Sequence, residues 1–182
     1  EMRSASTGEV EGVFPTAETG DIDRAVAAAR RAFPDWSQTP SNQRADLLQR
    51  FANELRSRGE QIAQRVSIQN GMPISVAGLI EAGLPPAMLD MYAGLVRAEP
   101  QETERPGALG GSVLVRHEPR GVVAALAPWN FPQALAMQKV APALAAGCTV
   151  VLRPSPETAL DSQLVADAAV AAGLPAGVLN IV

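Results

Sequence analysis

Residues 121–157 read GVVAALAPWNFPQALAMQKVAPALAAGCTVVLRPSPE, and no other stretch restricts the architecture as tightly. Gly121 to Ala127 is a continuous apolar run, the pattern of a strand buried on both faces, and Thr149 to Leu152 is a second. Between them Met137, Val140, Ala141 and Leu144 recur at helical spacing, and Gly147 stops the pattern. Strand, helix, strand in this order is a βαβ unit, for which parallel strands and a right-handed crossover are the rule. The fold class predicted is α/β, a helical lead-in followed by a parallel sheet. Ligands of such sheets bind at the carboxyl ends of the strands. Those ends are Pro128-Trp129-Asn130-Phe131-Pro132 and Arg153-Pro154-Ser155-Pro156-Glu157, so two chemically unusual loops are expected on one edge.

The flanking segments supply cover for that sheet. Thr7-Gly8-Glu9 reads as a turn before a short strand at Val10 to Phe14. From Asp21 the spacing of Ile22, Val26, Ala29 and Phe33 predicts a helix ended by Pro34. Thr39-Pro40 reads as N-cap and first helical residue of a second helix, with Leu47, Leu48, Phe51 and Leu55 as its buried stripe and Gly59 as its break. A third helix spans Gln61 to Gln69, with Ile62 and Val66 inward, and closes at Asn70-Gly71. Ser75 to Val96 is helical but interrupted at Gly83-Leu84-Pro85-Pro86. Glu99 to Gly111 is rich in Gly and Pro and reads as a loop, and Ser112 to Glu118 alternates as an exposed antiparallel strand. Beyond the central unit, Leu160, Leu164, Ala168 and Ala171 line a last helix capped by Gly173, and Val178 to Val182 begins a third buried strand. A sheet whose last buried strand lacks a covering helix points to the N-terminal part of a larger protein.

Composition narrows the chemistry mainly by exclusion. A net charge of -4 with scattered arginines gives no footprint for nucleic acid. With Cys148 as the one cysteine and His117 as the one histidine, a disulfide framework and the usual zinc chemistry are both unexpected, and no metal site is predicted. No apolar stretch reads as an uninterrupted membrane span, so no membrane partner is expected and the compartment expected is the cytoplasm. Cys148 lies between Gly147 and an apolar strand with no basic partner in sequence reach, the setting of a buried and inert thiol. Gly107, Gly110 and Gly111 do not open a helix and so fail the context of a dinucleotide fingerprint. Asn130 has two readings: its carboxamide could donate to an oxygen that becomes negative, or it could cap the helix that begins near Gln133. Arg153 could meet a ribose or phosphate or be an ordinary surface cation, and Ser155 could share the phosphate or serve the turn. Lys139 either snorkels to solvent or points toward the loops.

The blocks EPRGVVAALAPWNFP, KVAPALAAGCTVVLRPSPET and AAGLPAGVLNIV, together with TGEVEGVFPTAETGDIDRAVAAARRAF and WSQTPSNQRADLL upstream, closely resemble the aldehyde dehydrogenase superfamily. The resemblance implies a Rossmann-like cofactor domain, here its first half, and NAD- or NADP-dependent oxidation of an aldehyde to a carboxylic acid through a thiohemiacetal and a thioester. It implies that Asn130 stabilises the oxyanion, that Leu126, Ala127 and Trp129 line the cofactor cleft, and that Arg153, Ser155 and Pro156 lie around the adenosine ribose. Residues 1–100 and 120–182 would belong to the cofactor domain, 101–119 to an oligomerisation segment of a homodimer or tetramer, and the substrate would be a small aldehyde.

Three departures from the family pattern matter. Arg153 stands where Lys is usual, and Pro156 where NAD-preferring members place Glu, with Glu157 one step later; NADP is left open. The family's glycine-containing cofactor helix, general-base Glu and nucleophilic Cys lie past Val182, and Cys148 does not match that nucleophile. By itself this chain is therefore expected not to oxidise an aldehyde. The other reading is a non-catalytic oligomerisation or interaction module built on the strand at Ser112 to Glu118.

Overall fold

The computed structural model describes residues 1–99 and 101–182. The loop and the domain boundary expected at residue 100 therefore lie outside the described residues there.

The βαβ unit forms as its spacing predicts. Strand β5 (Val122–Leu126) leads into helix α6 (Pro132–Ala145), and strand β6 (Thr149–Arg153) follows. After a 3-10 turn at Pro156–Asp161 come helix α7 (Ser162–Ala171) and strand β7 (Leu179–Ile181). The strands are parallel in the order β5-β6-β7. Thr149 to Leu152 is buried on both faces, and on β5, which pairs with β6 among the described residues, Ala125 is buried while Ala124 and Leu126 are exposed.

Ahead of this unit, β1 (Met2–Arg3) pairs antiparallel with β2 (Val10–Gly12), so the first hairpin is shorter than expected. Helix α1 (Thr19–Gln38) passes through Pro34 instead of ending there. Burial of Trp36 in the last turn outweighs the one backbone bond that the proline removes. Its inward face is also rotated from the expected one: Ala25 and Ala29 are buried, whereas Ile22 is 40% exposed. The small face lets α1 lie close against the sheet. Thr149 Oγ1 on β6 donates to the Ala29 carbonyl at 3.0 Å. Gly177, at φ +84°, comes so near that an added Cβ would lie 2.8 Å from the Ala28 oxygen.

The opposite face of the sheet packs Ala125, Val150 and Leu152 against α6 and α7, through Met137, Val140, Leu144, Val165 and Ala168. On α7, Ala168 faces inward as expected, but Ala171 is exposed and Val165 and Ala169 are buried in its stead. A second helical layer lies behind. Helix α2 (Ser41–Ser57) buries Leu48, Phe51 and Leu55, with Leu47 half-buried, and its N-cap is Pro40, one residue past the expected Thr39. Helix α3 (Gly59–Asn70) buries Ile62 and Val66 and ends on Gly71 in the left-handed conformation. A short helix α4 (Ile74–Val76), a π-helical turn at Ala77–Glu81 and helix α5 (Leu84–Ala98) complete the layer.

The interruption expected at Gly83 is present, because Pro85 and Pro86 occupy the first turn of α5, where their missing N–H groups cost nothing. Ile74–Ala98 taken together is nonetheless long and apolar enough to cross a membrane, contrary to the sequence expectation. It packs on α2, α3 and α6 through a face that buries Ala77, Glu81, Leu89 and Ala93, while Leu79, Met91 and Leu95 stay exposed. The expected loop at 99–111 contains strand β3 (Glu102–Pro106), paired antiparallel with β4 (Ser112–Arg116). Its alternation was hidden because every side chain in it is polar or proline.

Two arginines of α2, the buried Arg44 and the exposed Arg50, join the layers. Buried Arg44 donates through Nε to the Ala145 carbonyl at the end of α6, at 3.1 Å, and through a second nitrogen to the Thr39 carbonyl. Arg50 Nε donates to the Ala172 carbonyl after α7, at 3.1 Å. Each cation thus meets the negative end of a sheet-covering helix. Arg44→Leu is expected to destabilise the fold by about 1–3 kcal/mol, since two carbonyls lose a charged donor; chemical denaturation against the parent protein measures it.

Candidate functional site

The register of the sheet sets Leu126 directly beside Arg153, and the Ala127 N–H donates to the Arg153 carbonyl at 3.0 Å. The two unusual loops therefore leave adjacent strand ends on one edge. On the first loop Leu126 is 62% and Trp129 55% exposed, Ala127 is half-buried and Asn130 is exposed. On the second, Arg153 and Pro156 are exposed while Ser155 is buried. The Ser155 hydroxyl donates to the carboxylate of Glu157. That bond, with the guanidinium of Arg153 nearby, holds the exposed Glu157 carboxyl below its usual range. Pro156 opens the 3-10 turn, where it needs no N–H partner.

The capping alternative for Asn130 does not match the geometry. The N-cap of α6 is Phe131, and no side chain of the 128–132 turn caps the helix. The first N–H groups of α6 are taken from elsewhere: Glu81 Oε2 accepts from Gln133 at 2.8 Å and from Ala134 at 3.3 Å. The turn is held from its other side by Asn70, whose Nδ2 donates to the Trp129 carbonyl at 3.2 Å and approaches the Asn130 carbonyl at 3.5 Å. Asn70 in turn accepts the Met72 N–H at 2.9 Å. The Asn130 carboxamide is left exposed, with no bond to another of the described residues.

Beneath the two loops lies a buried polar cluster that sequence inspection missed. Gln133 Nε2 donates to the Asp161 carbonyl at 3.0 Å, and Gln69 Oε1 accepts the Leu160 N–H at 2.9 Å. With Glu81 on Gln133, these contacts join α3, the π-turn, the start of α6 and the end of the 3-10 turn. The only signal in the sequence was a lone Glu81 between Ile80 and Ala82 in an apolar segment, which a helical wheel could as well have put outside. Burial pushes the Asp161 carboxyl up to about 7; the Gln133 amide opposes this and the neighbouring Glu81 charge adds to it. Burial raises Glu81 too, against the two N–H bonds that favour its anion. One oxygen of each, Glu81 Oε1 and Asp161 Oδ2, finds no hydrogen-bond partner among the described residues.

Other sequence candidates lie apart from this edge. Cys148 is buried, as expected of an inert thiol. Lys139 is half-buried and donates to the Leu135 carbonyl of its own helix at 3.1 Å. His117 lines a hollow at the far end of α6 with Arg44 and Tyr92. No cluster of metal-ligating side chains occurs among the described residues.

Comparison with known proteins gives one consistent result. The sequence model described as the aldehyde dehydrogenase family matches residues 1–182. Geranial dehydrogenase of Castellaniella defragrans is 49% identical over 97% of the chain, and 3-sulfolactaldehyde dehydrogenase of Pseudomonas putida is 36% identical over 100%. The chain spans only 37% of the length of either relative. Among solved structures, aldehyde dehydrogenase C of Pseudomonas syringae, crystallised with NAD+ and octanal, superposes with a TM-score of 0.94 at 38% identity, over 100% of this chain and 36% of its own.

The pH dependence of stability follows from the Asp161 carboxyl. An unfolded chain releases this proton near 3.8 and the folded one near 7, so the stabilisation is complete below about 3.8 and is lost as pH rises to about 7. Asp161→Asn is expected to flatten that decline and to raise stability at pH 8 by on the order of 1–3 kcal/mol. Denaturation midpoints between pH 5 and 8 measure both effects.

Proposed function

Because the chain belongs to the aldehyde dehydrogenase family, we propose that it forms the N-terminal part of an enzyme oxidising a small aldehyde to a carboxylic acid with NAD or NADP. The observation that carries this reading is the exposed Asn130 carboxamide, released from helix capping because Glu81 has taken that task. Nδ2 of Asn130 is a donor on a rigid turn at a strand's end. A carbonyl oxygen that gains negative charge during nucleophilic attack on the aldehyde accepts from it, and such a fixed donor lowers the barrier more than mobile water does.

The residues of the edge fit a dinucleotide. Arg153 is an exposed cation on the end of β6, where a ribose or phosphate oxygen can accept two of its N–H groups. Ser155 adds a hydroxyl, Leu126, Ala127 and Trp129 offer apolar wall, and Pro156 fixes the start of the 3-10 turn beneath. Glu157, kept ionised by Ser155, sets a carboxylate beside Arg153 that can accept from ribose hydroxyls. The cofactor, when bound, supplies the hydride acceptor. Cys148 is not the nucleophile, since it is buried past the end of α6 opposite the Asn130 turn.

The same reading assigns residues 1–100 and 120–182 to the cofactor domain and 101–119 to oligomerisation, within the cytoplasm. Support for the second assignment is the β3–β4 hairpin, which leaves Val113 and Leu114 each more than half exposed. A second copy of the chain is the partner proposed for it.

Two substitutions test the reading in the full-length protein. Asn130→Ala is expected to lower turnover of an aldehyde by about 10²-fold with little change in cofactor binding; undiminished turnover would remove Asn130 from the chemistry. Arg153→Ala is expected to raise the cofactor KM about tenfold, through loss of a charge-assisted hydrogen bond. An effect confined to the aldehyde KM would place the cofactor elsewhere.

A further inference from the structure

Glu81 lies outside both site loops, yet three features of its setting point at them. First, it is fully buried although it sits in an otherwise apolar helical region. A carboxylate is retained there only if something needs it, because burial costs several kcal/mol unless charge-assisted bonds offset it. Second, it ends a π-helical turn, in which the Ala82 N–H reaches back to the Ala77 carbonyl at 3.0 Å. Such insertions re-aim a side chain that a regular helix would point elsewhere, and they concentrate at functional sites. Gly83 belongs to the same device, because a Cβ there would collide with the Leu79 carbonyl oxygen. Third, its oxygen binds the two N–H groups that follow Pro132, directly after the turn that carries Asn130.

We propose that Glu81 is the positioning residue for Asn130: its carboxylate caps α6 from the second helical layer, which fixes the direction in which the 128–132 turn leaves the helix and leaves the Asn130 carboxamide free to act. This rests on the oxyanion reading of Asn130 given above. A local cap would have come from the turn itself, and the usual candidate at a helix start is an Asn. With Glu81 doing the capping, the one carboxamide of the turn is spared. Asn70 holds the carbonyls on the other side of the turn, so the backbone is clamped from two elements. Gln133, whose N–H Glu81 accepts, uses its own side chain to hold the Asp161 carbonyl at the end of the second loop. Glu81 therefore acts on the geometry of the site without touching substrate or cofactor.

The test is a double-mutant cycle in the full-length protein, with Glu81→Ala, Asn130→Ala and the pair, read as turnover, cofactor KM and hydrogen exchange of residues 133–136. Glu81→Ala is expected to lower turnover about 10- to 100-fold, the scale of a misplacement near one ångström, with the cofactor KM within about twofold. Exchange at 133–136 should accelerate. In the Asn130→Ala background the same change should cost less than about threefold, since the group being aimed is already gone. Glu81→Gln, which keeps an acceptor oxygen, should recover most of the turnover. Losses that multiply, or unchanged exchange in Glu81→Ala, overturn the proposal while the oxyanion reading stands. If Asn130→Ala alone leaves turnover unaltered, the oxyanion reading falls and the proposal with it. Should Glu81→Ala fail to fold, Glu81→Asp, one methylene short of both N–H groups, replaces it in the cycle. Its several-fold loss must vanish beside Asn130→Ala, and a loss that persists there overturns the proposal.

Discussion

Helix α6 is held at both ends by charges that are not its own. The anion of Glu81 lies on its first N–H groups and the cation of Arg44 on its last carbonyls, each from the layer behind the sheet. Both charges are placed to complement the helix dipole, and both sit where water cannot do the same work. The sequence of α6 explains the need: it has no acidic residue in the first turn and no basic one in the last. Such a helix packs closely and buries nearly all round, and the one polar side chain of its first turn, Gln133, is committed to the Asp161 carbonyl instead of to the helix end. Its position in turn sets β5, β6 and the loop between β5 and α6. The edge on which the candidate site lies is thus fixed from behind, by residues far away in the chain.

The strands of the sheet and the helices between them were legible because their apolar spacing is undisturbed. Met137, Val140, Ala141 and Leu144 are all fully buried, as the spacing alone requires. Misreadings arose where tertiary packing overrides a local rule. Pro34 should end a helix, yet Trp36 beyond it has a place in the core. Ile22 is the most apolar residue of its turn, yet the alanines face inward, because the sheet admits only a small side chain at that distance. Strand β3 is written in polar residues because it is exposed along its length except at the half-buried Thr103. The loops of the candidate site could be placed on one edge from topology, whereas the cluster of Gln69, Glu81, Gln133 and Asp161 could not. Its members come from four separate elements, and each taken singly is an ordinary polar residue.

That cluster also carries a cost that an apolar core would not. Two carboxyl groups share a small buried volume, each with one oxygen lacking a partner among the described residues, and burial raises both. Proteins retain such arrangements where the polar groups specify a geometry that apolar packing would leave loose. Here the geometry specified is the relation between the turn of Asn130 and the loop of Arg153 and Ser155. An apolar replacement of similar volume could fill the space, but it could not bind the N–H groups of α6.

The hairpin of β3 and β4 shows the opposite condition. Val113 and Leu114 are successive residues and so point to opposite faces of the ribbon, and both are exposed, as is Leu109 near its tip. Among the described residues of its two strands only Thr103 and Val115, paired on one face, are half-buried, and the ribbon is held by its own ladder and by the pair of Arg116 with Glu102 at 2.6 Å. A two-stranded ribbon without a buried face is marginal in water. Its opening free energy is therefore nearly independent of the core's, so solution conditions that leave the sheet and helices intact can melt it. Unfolding followed by a probe in the hairpin and by one in α6 would then give two transitions, not one cooperative event.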